Sequence, residues 1–131
     1  MKYVILIHSN PDPWGHPTPR YTAEGRAMPD SWHEESGRQF DALLREISES
    51  GELVTAEALA APETSTIYTW TAERGLHTTD GPYAEAKEQL AGFFLLDCET
   101  PERAREIAGQ FAGPGDTVEL RPAMWAGGPD A

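Results

Sequence analysis

DGPYAEAKEQLAGFFLLD, residues 80–97, decides the fold. The run that ends it and continues into the next residue, Phe93 to Cys98, is apolar at nearly every position. Side chains of a strand alternate between two faces, so a run without alternation predicts a strand covered on both. Asp80-Gly81-Pro82 predicts a turn, because glycine and proline punctuate secondary structure. Between turn and strand, Tyr83 to Leu90 predicts one or two helical turns.

Tyr3 to Ile7 is the second run that is apolar on both faces, and it carries β-branched residues. His8 continues the face of Val4 and Leu6. Residues 10–29 then hold five prolines, at 11, 13, 17, 19 and 29, and predict a long loop of the kind that serves as a lid or an interface arm. Helix one is marked by Ser31 and Glu34 at capping-box spacing. Its apolar stripe is Trp32, Phe40, Leu43, Leu44 and Ile47, and Gly51 is its left-handed stop. Leu53–Leu59 and Thr66–Thr71 read as strands, the second rich in Thr and aromatics. Gly75 turns the chain into a further strand at Leu76–Thr79, which makes a hairpin.

Beyond Cys98, Thr100-Pro101-Glu102 reads as N-cap, first helical position and acidic first turn. Ala104, Ile107, Ala108 and Phe111 form the buried stripe of that helix, and Gly113-Pro114-Gly115 ends it. Val118 to Arg121 alternates as a half-exposed strand should. The order is that of an α+β, ferredoxin-like split βαβ sandwich: an antiparallel sheet with two helices on one face. Two helices cover one face only, yet two strands are apolar on both. A second copy of the sheet is the simplest cover, and a homodimer through sheet faces is expected.

At 131 residues the chain reads as one domain, 1–131. Ten basic against 22 acidic side chains give a formal charge of −12, which disfavours direct contact with nucleic acid or with anionic membranes. Cys98 is the only cysteine, so no internal disulfide is available. The apolar run near the start spans five residues, too short for a signal-peptide core or a membrane span, and a cytoplasmic protein is expected.

The opening stretch also resembles a known family. Asp80, Gly81, Pro82 and Tyr83, then Lys87-Glu88 and Gly92-Phe93, are similar to the DGPF-type branch of the YCII-related proteins. MKYVILIHS, GELVTAEAL and VELRP match the same layout. The resemblance implies a ferredoxin-like dimer with a cleft between sheet and helices. Some YCII-type proteins are small lyases or dehalogenases using a His–Asp pair, and others partner alternative sigma factors. The family's histidine would lie in helix one where this chain has Phe40, so that pair does not carry over.

Candidate site residues follow. Asp80 either orders its own turn through the amides that follow or faces the cleft as a ligand contact or base. Tyr83 belongs to the same motif. Lys87 and Glu88 diverge by about 100° on a helix, which reads as a solvated turn; the alternative is a contact across the dimer or, through Lys87, with an acidic ligand. His8 reads as a half-buried histidine or as a general base beside Asp80. Trp14 and Tyr21 pin the loop or lid a pocket. Trp70 and Trp125 read as core or dimer interface, and Cys98 as a small buried hydrophobe. His8, Asp12, His16 and His33 match no metal-site spacing and read as surface histidines. No cofactor fingerprint is present. The function expected is a small-molecule binding or regulatory module near the DGPY turn, with a transcription regulator as partner. The alternative is a lyase, isomerase or dehalogenase using Asp80 and His8.

Overall fold

Strands β1 (Lys2–Ser9) and β5 (Gln89–Asp97) form the centre of an antiparallel four-stranded sheet with order β2-β5-β1-β6. A computed structural model describes residues 1–15, 18–84 and 86–124. The outer strands are β2 (Leu53–Ala58) and β6 (Thr117–Pro122). Helices α2 (Asp30–Ser50) and α3 (Pro101–Gly109) connect β1 to β2 and β5 to β6. This is the split βαβ plan expected from the element order. Strands β3 (Thr66–Thr71) and β4 (Gly75–Asp80) make a separate two-stranded sheet.

Register assigns the faces, because residues directly opposite in an antiparallel ladder share one. Tyr3 lies opposite Leu96 and Ile5 opposite both Phe94 and Leu120. These side chains meet Leu43 and Ile47 of α2 and Ala104, Ile107 and Ala108 of α3 in the core. Phe111 closes it, its ring 4.5 Å from Phe94 and edge-on to Phe40 at 5.3 Å. Phe40 is thus a packing residue on the inner face of α2. Val4 lies opposite Leu95 and Leu6 opposite Phe93, on the other face. That apolar block is bordered by Thr55 and Glu57 of β2 and by Glu119 and Arg121 of β6. Both long helices pack on the opposite side of the sheet.

Helix ends follow local chemistry. Thr100 Oγ1 accepts the amide of Arg103 at 3.1 Å, with Pro101 in the first turn. Gly51 stops α2 with φ of 82°, the left-handed conformation glycine adopts freely. The start of α2 differs from expectation. Its N-cap is Pro29, with no side-chain cap bond, so Ser31 lies inside the first turn and no capping box forms. Helix α3 ends at Gly109, before the Gly-Pro-Gly turn, with Phe111 buried just beyond it.

Three other readings are corrected. Residues 82–84 and 86–88 form no helix, and β5 starts at Gln89, four residues ahead of the expected strand. Gln89, Leu90 and Gly92 are recruited by pairing with Ser9, His8 and Ile7, which leaves too short a segment to nucleate a helix. The stretch 10–29 is not one open loop. It contains a 3-10 turn at Pro19–Tyr21 and the short helix α1 (Ala23–Arg26), capped by Thr22, whose hydroxyl accepts the Gly25 amide. Finally, of the two readings of Trp70, core or dimer interface, the core is excluded, since its side chain is 69% exposed. Trp125 lies outside the described residues. None of the described helices is long and apolar enough to cross a membrane.

Candidate functional site

Asp80 closes the β3–β4 hairpin opposite Thr66. The amide of Gly81 donates to Ser65 O at 2.8 Å. A Cβ at Gly81 would stand 1.7 Å from Ser65 Oγ and 2.8 Å from Pro62 O, so the motif's glycine is required by close approach. The Gly81–Pro82 peptide is cis. Tyr83 then points into solvent, 81% exposed. The Asp80 side chain is exposed and takes no hydrogen bond or ion pair from the described residues.

The chain next runs back along the body. Lys87 Nζ lies 3.7 Å from Glu24 Oε1, which ties the DGPY run to α1. Thr22 at the head of α1 donates to Pro114 O at 2.8 Å, which ties α1 to the turn before β6. Gly115 in that turn has φ of 85°, and a Cβ there would lie 2.6 Å from Thr22 Cβ and 2.8 Å from Glu24 Oε2. Beside it sits Asp116. Burial pushes the Asp116 carboxyl above its usual range; the Ser9 hydroxyl bonds to it and opposes the shift, while Glu88 and Glu24 add to it. Four segments distant in sequence therefore converge at the end of β1: Ser9, the Thr22–Glu24 turn, Lys87-Glu88 and Gly115-Asp116.

Sequence reasoning picked Lys87 and Glu88 but missed Asp116, Ser9 and Glu24. An acid after Gly-Pro-Gly looks like a solvated turn residue, and only the packing of the proline-rich segment over it reveals the burial. A strained carboxylate carries a clear prediction. Asp116→Asn removes a charge that the fold disfavours while keeping an acceptor for Ser9. Asp116's folded pKa is raised, so its favourable contribution is fully present below the unfolded pKa and is lost as pH rises through the folded one. The variant is therefore expected to melt higher than the parent at pH 7, with the gain vanishing as pH falls towards 4. Melting curves across that range check it, and a variant that melts lower at pH 7 would show the charge to be stabilised.

His8 alternates with Ser9 and so lies on the opposite side of the sheet, opposite Leu90. Its Nε2 is 3.5 Å from Glu119 Oε1. Arg121, whose guanidinium bonds to Glu119, holds that carboxyl below the usual range, with His8 adding to the effect. No hydrogen bond or ion pair joins His8 to Asp80, and its carboxylate partner is Glu119. Trp14 Nε1 donates to Leu59 O at 2.9 Å, pinning the proline-rich segment to the end of β2. His33 corrects the reading of surface histidines: it is buried in α2, with Nε2 2.8 Å from Gly25 O. His16 and Glu85 fall outside the described residues. Burial raises the Cys98 thiol, as a packed structural cysteine requires. A shallow groove of about 460 Å³ between α2 and α3, lined by Trp32, Glu35 and Gln110, holds none of the predicted site residues.

Residues 1–112 match the YCII-related domain. The chain belongs to the YCII-related family. A relative in Rhizobium meliloti (strain 1021), the uncharacterized protein R00369, is 31% identical over 88 residues, covering 65% of this chain and 70% of the relative. The DGPY run lies inside the stretch matched to the YCII-related domain. Asp116 and β6 lie beyond it, so the half-buried carboxyl is a feature read from this chain's own packing.

Proposed function

We propose that the chain acts as a cytoplasmic homodimer of the DGPF-type branch that binds a small molecule at the end of β1, in a sensing role coupled to a transcription regulator. The observation that carries the reading is the convergence of the DGPY run, the proline-rich segment and the turn before β6 on Asp116. Such a site has the makings of a receptor: a few polar groups held by separate rigid elements beside an apolar core. Glu24, Glu88 and Asp116 outnumber Lys87, whose ammonium already faces Glu24. The site therefore suits ligands that present amine or hydroxyl groups rather than anions. A surface of net charge −12 adds to that preference and makes any effect on transcription indirect.

Thermal-shift screening tests the proposal, using amine-bearing and polyhydroxylated metabolites against a set of mono- and dicarboxylates. A ligand at 100-fold excess over its Kd is expected to raise Tm by about 10 °C. That shift should shrink in Glu88→Gln and Asp116→Asn. A hit confined to carboxylates, or one indifferent to both variants, would place binding elsewhere.

A second reading is an enzyme of the lyase, isomerase or dehalogenase kind. What favours it is a carboxyl whose pKa burial raises at Asp116 and an imidazole paired with a carboxylate at His8, since proton transfer uses such groups. Asp80, without a hydrogen bond or ion pair among the described residues, would then meet the substrate directly. A pH–rate profile that is lost in His8→Ala would support this reading over the first.

A further inference from the structure

The β3–β4 hairpin is a second unfilled surface. Its ladder runs in unbroken register from Thr66 opposite Asp80 to Thr71 opposite Gly75. Tyr68, Trp70 and Leu76 share one face, with Trp70 directly opposite Leu76. They are 65, 69 and 67% exposed. A two-stranded ribbon is marginal in water by itself. This one belongs to no larger sheet and sets its apolar face towards solvent.

We propose that this hairpin is a dimerisation arm, whose Tyr68–Trp70–Leu76 face docks on a second copy of the chain beside the sheet-face contact. The inference rests on the homodimer reading above and adds what that contact lacks. Val4, Leu6, Phe93 and Leu95 are only partly exposed, and together they offer roughly 200 Å². A stable interface needs about 800 Å² from each partner. The three arm side chains add roughly 400 Å², twice the sheet's share. Large exposed aromatics are also the residues that dominate interface energetics. A second copy is the occupant because this same chain presents the complementary unfilled face. Two arms and two sheet faces then close around one twofold axis, with nothing left over to propagate. Charge is compatible: Asp80, at the base, is the only acidic or basic side chain on the arm's docking face, and the charged residues of the sheet face, Glu57, Glu119 and Arg121, border its apolar block, so the centre of the contact holds no charge from either copy.

Sedimentation equilibrium on the full chain decides it, with Trp70→Ser and Leu76→Ser in the arm and Leu95→Glu on the sheet face. Both arm side chains face water in the single chain, so folding is preserved, and circular dichroism confirms it. The parent should be a dimer, and each arm variant should raise the dissociation constant by about 30-fold or more. Hydrogen exchange adds an independent readout, because amides of residues 66–80 should lose protection on dilution below that constant. A dimer unaffected by either arm variant, disrupted by Leu95→Glu, and equally unprotected in the arm at all concentrations would overturn the arm while sparing the sheet-face dimer. Sensitivity to the arm variants but not to Leu95→Glu would support the arm and remove the sheet-face contact. A parent that stays monomeric throughout would end both.

Discussion

Ile5→Ala is expected to destabilise the fold by about 4 kcal/mol, near the upper end of large-to-small core substitutions. For a domain of this size that lowers Tm by roughly 12–16 °C. Ile5 has no exposed surface and sits on the central strand, between Phe94 and Leu120 on its neighbours. Ile47 of α2 and Ile107 of α3, both fully buried, belong to the same core. A site walled by three strands and two helices cannot collapse around the missing atoms, and the cavity term adds to the transfer term. Val4→Ala is the matched control. It is one residue away, on the face that α2 and α3 leave uncovered, and should cost under half as much. Urea unfolding of both variants at one low protein concentration measures the difference. Equal losses would mean that the two faces of β1 have been assigned the wrong way round.

That assignment was largely legible in the sequence. Tyr3–Ile7 and Phe93–Cys98 are apolar on both faces; α2 and α3 bury the one that carries Tyr3, Ile5 and Leu96, while Val4, Leu6, Phe93 and Leu95 on the other are only half-buried. The Thr100-Pro101 start and the Gly51 stop were legible for a different reason, since they satisfy helix-end groups within a few residues. Where a boundary depends on a distant partner the reading failed. Gln89 and Leu90 read as the end of a helical segment and Gly92 as the approach to the strand, yet β1 pairs with all three and makes them strand. Ser31 and Glu34 have the spacing of a cap, but the chain enters α2 at Pro29 and leaves them inside the helix.

The site was legible only in pieces. Lys87 and Glu88 stood out because they follow a turn of unusual composition. Nothing local marked Glu119 as the partner of His8, or Asp116 as a half-buried acid, because both relations are created by β6 closing the sheet edge. Proline content marked residues 10–29 as irregular and could not tell an open loop from a folded segment. What orders that segment is a set of small, specific contacts, such as Gly25 against the Pro19 carbonyl, where a Cβ would come within 1.7 Å.

Arg103 carries the other large effect and ties both halves of the fold together. From the first turn of α3 its guanidinium grips Glu52 at the head of β2 through two bonds, Nε to Oε2 at 2.8 Å and Nη2 to Oε1 at 3.0 Å. It also meets Glu46 of α2 at 3.0 Å and Glu106 of its own helix at 2.9 Å. The Arg103 and Glu52 side chains are only 25 and 17% exposed, so their pairing is better shielded than a surface ion pair. Arg103→Met keeps the aliphatic stem and removes the fork, and should cost about 2–3 kcal/mol at neutral pH. Glu46→Gln, at a carboxylate 60% exposed, should cost only a few tenths. The hydrogen bond from Arg103 holds the Glu52 carboxyl below its usual range, against the opposing effect of burial. Because that folded pKa is depressed, its contribution is present above the unfolded value and disappears as pH falls through the folded one. The gap between parent and Arg103→Met should therefore be flat from pH 6 to 8 and narrow below about pH 4.5. Chemical denaturation at each pH measures it, and a gap that persists unchanged at pH 3 would assign the loss to packing of the stem rather than to the charge pair.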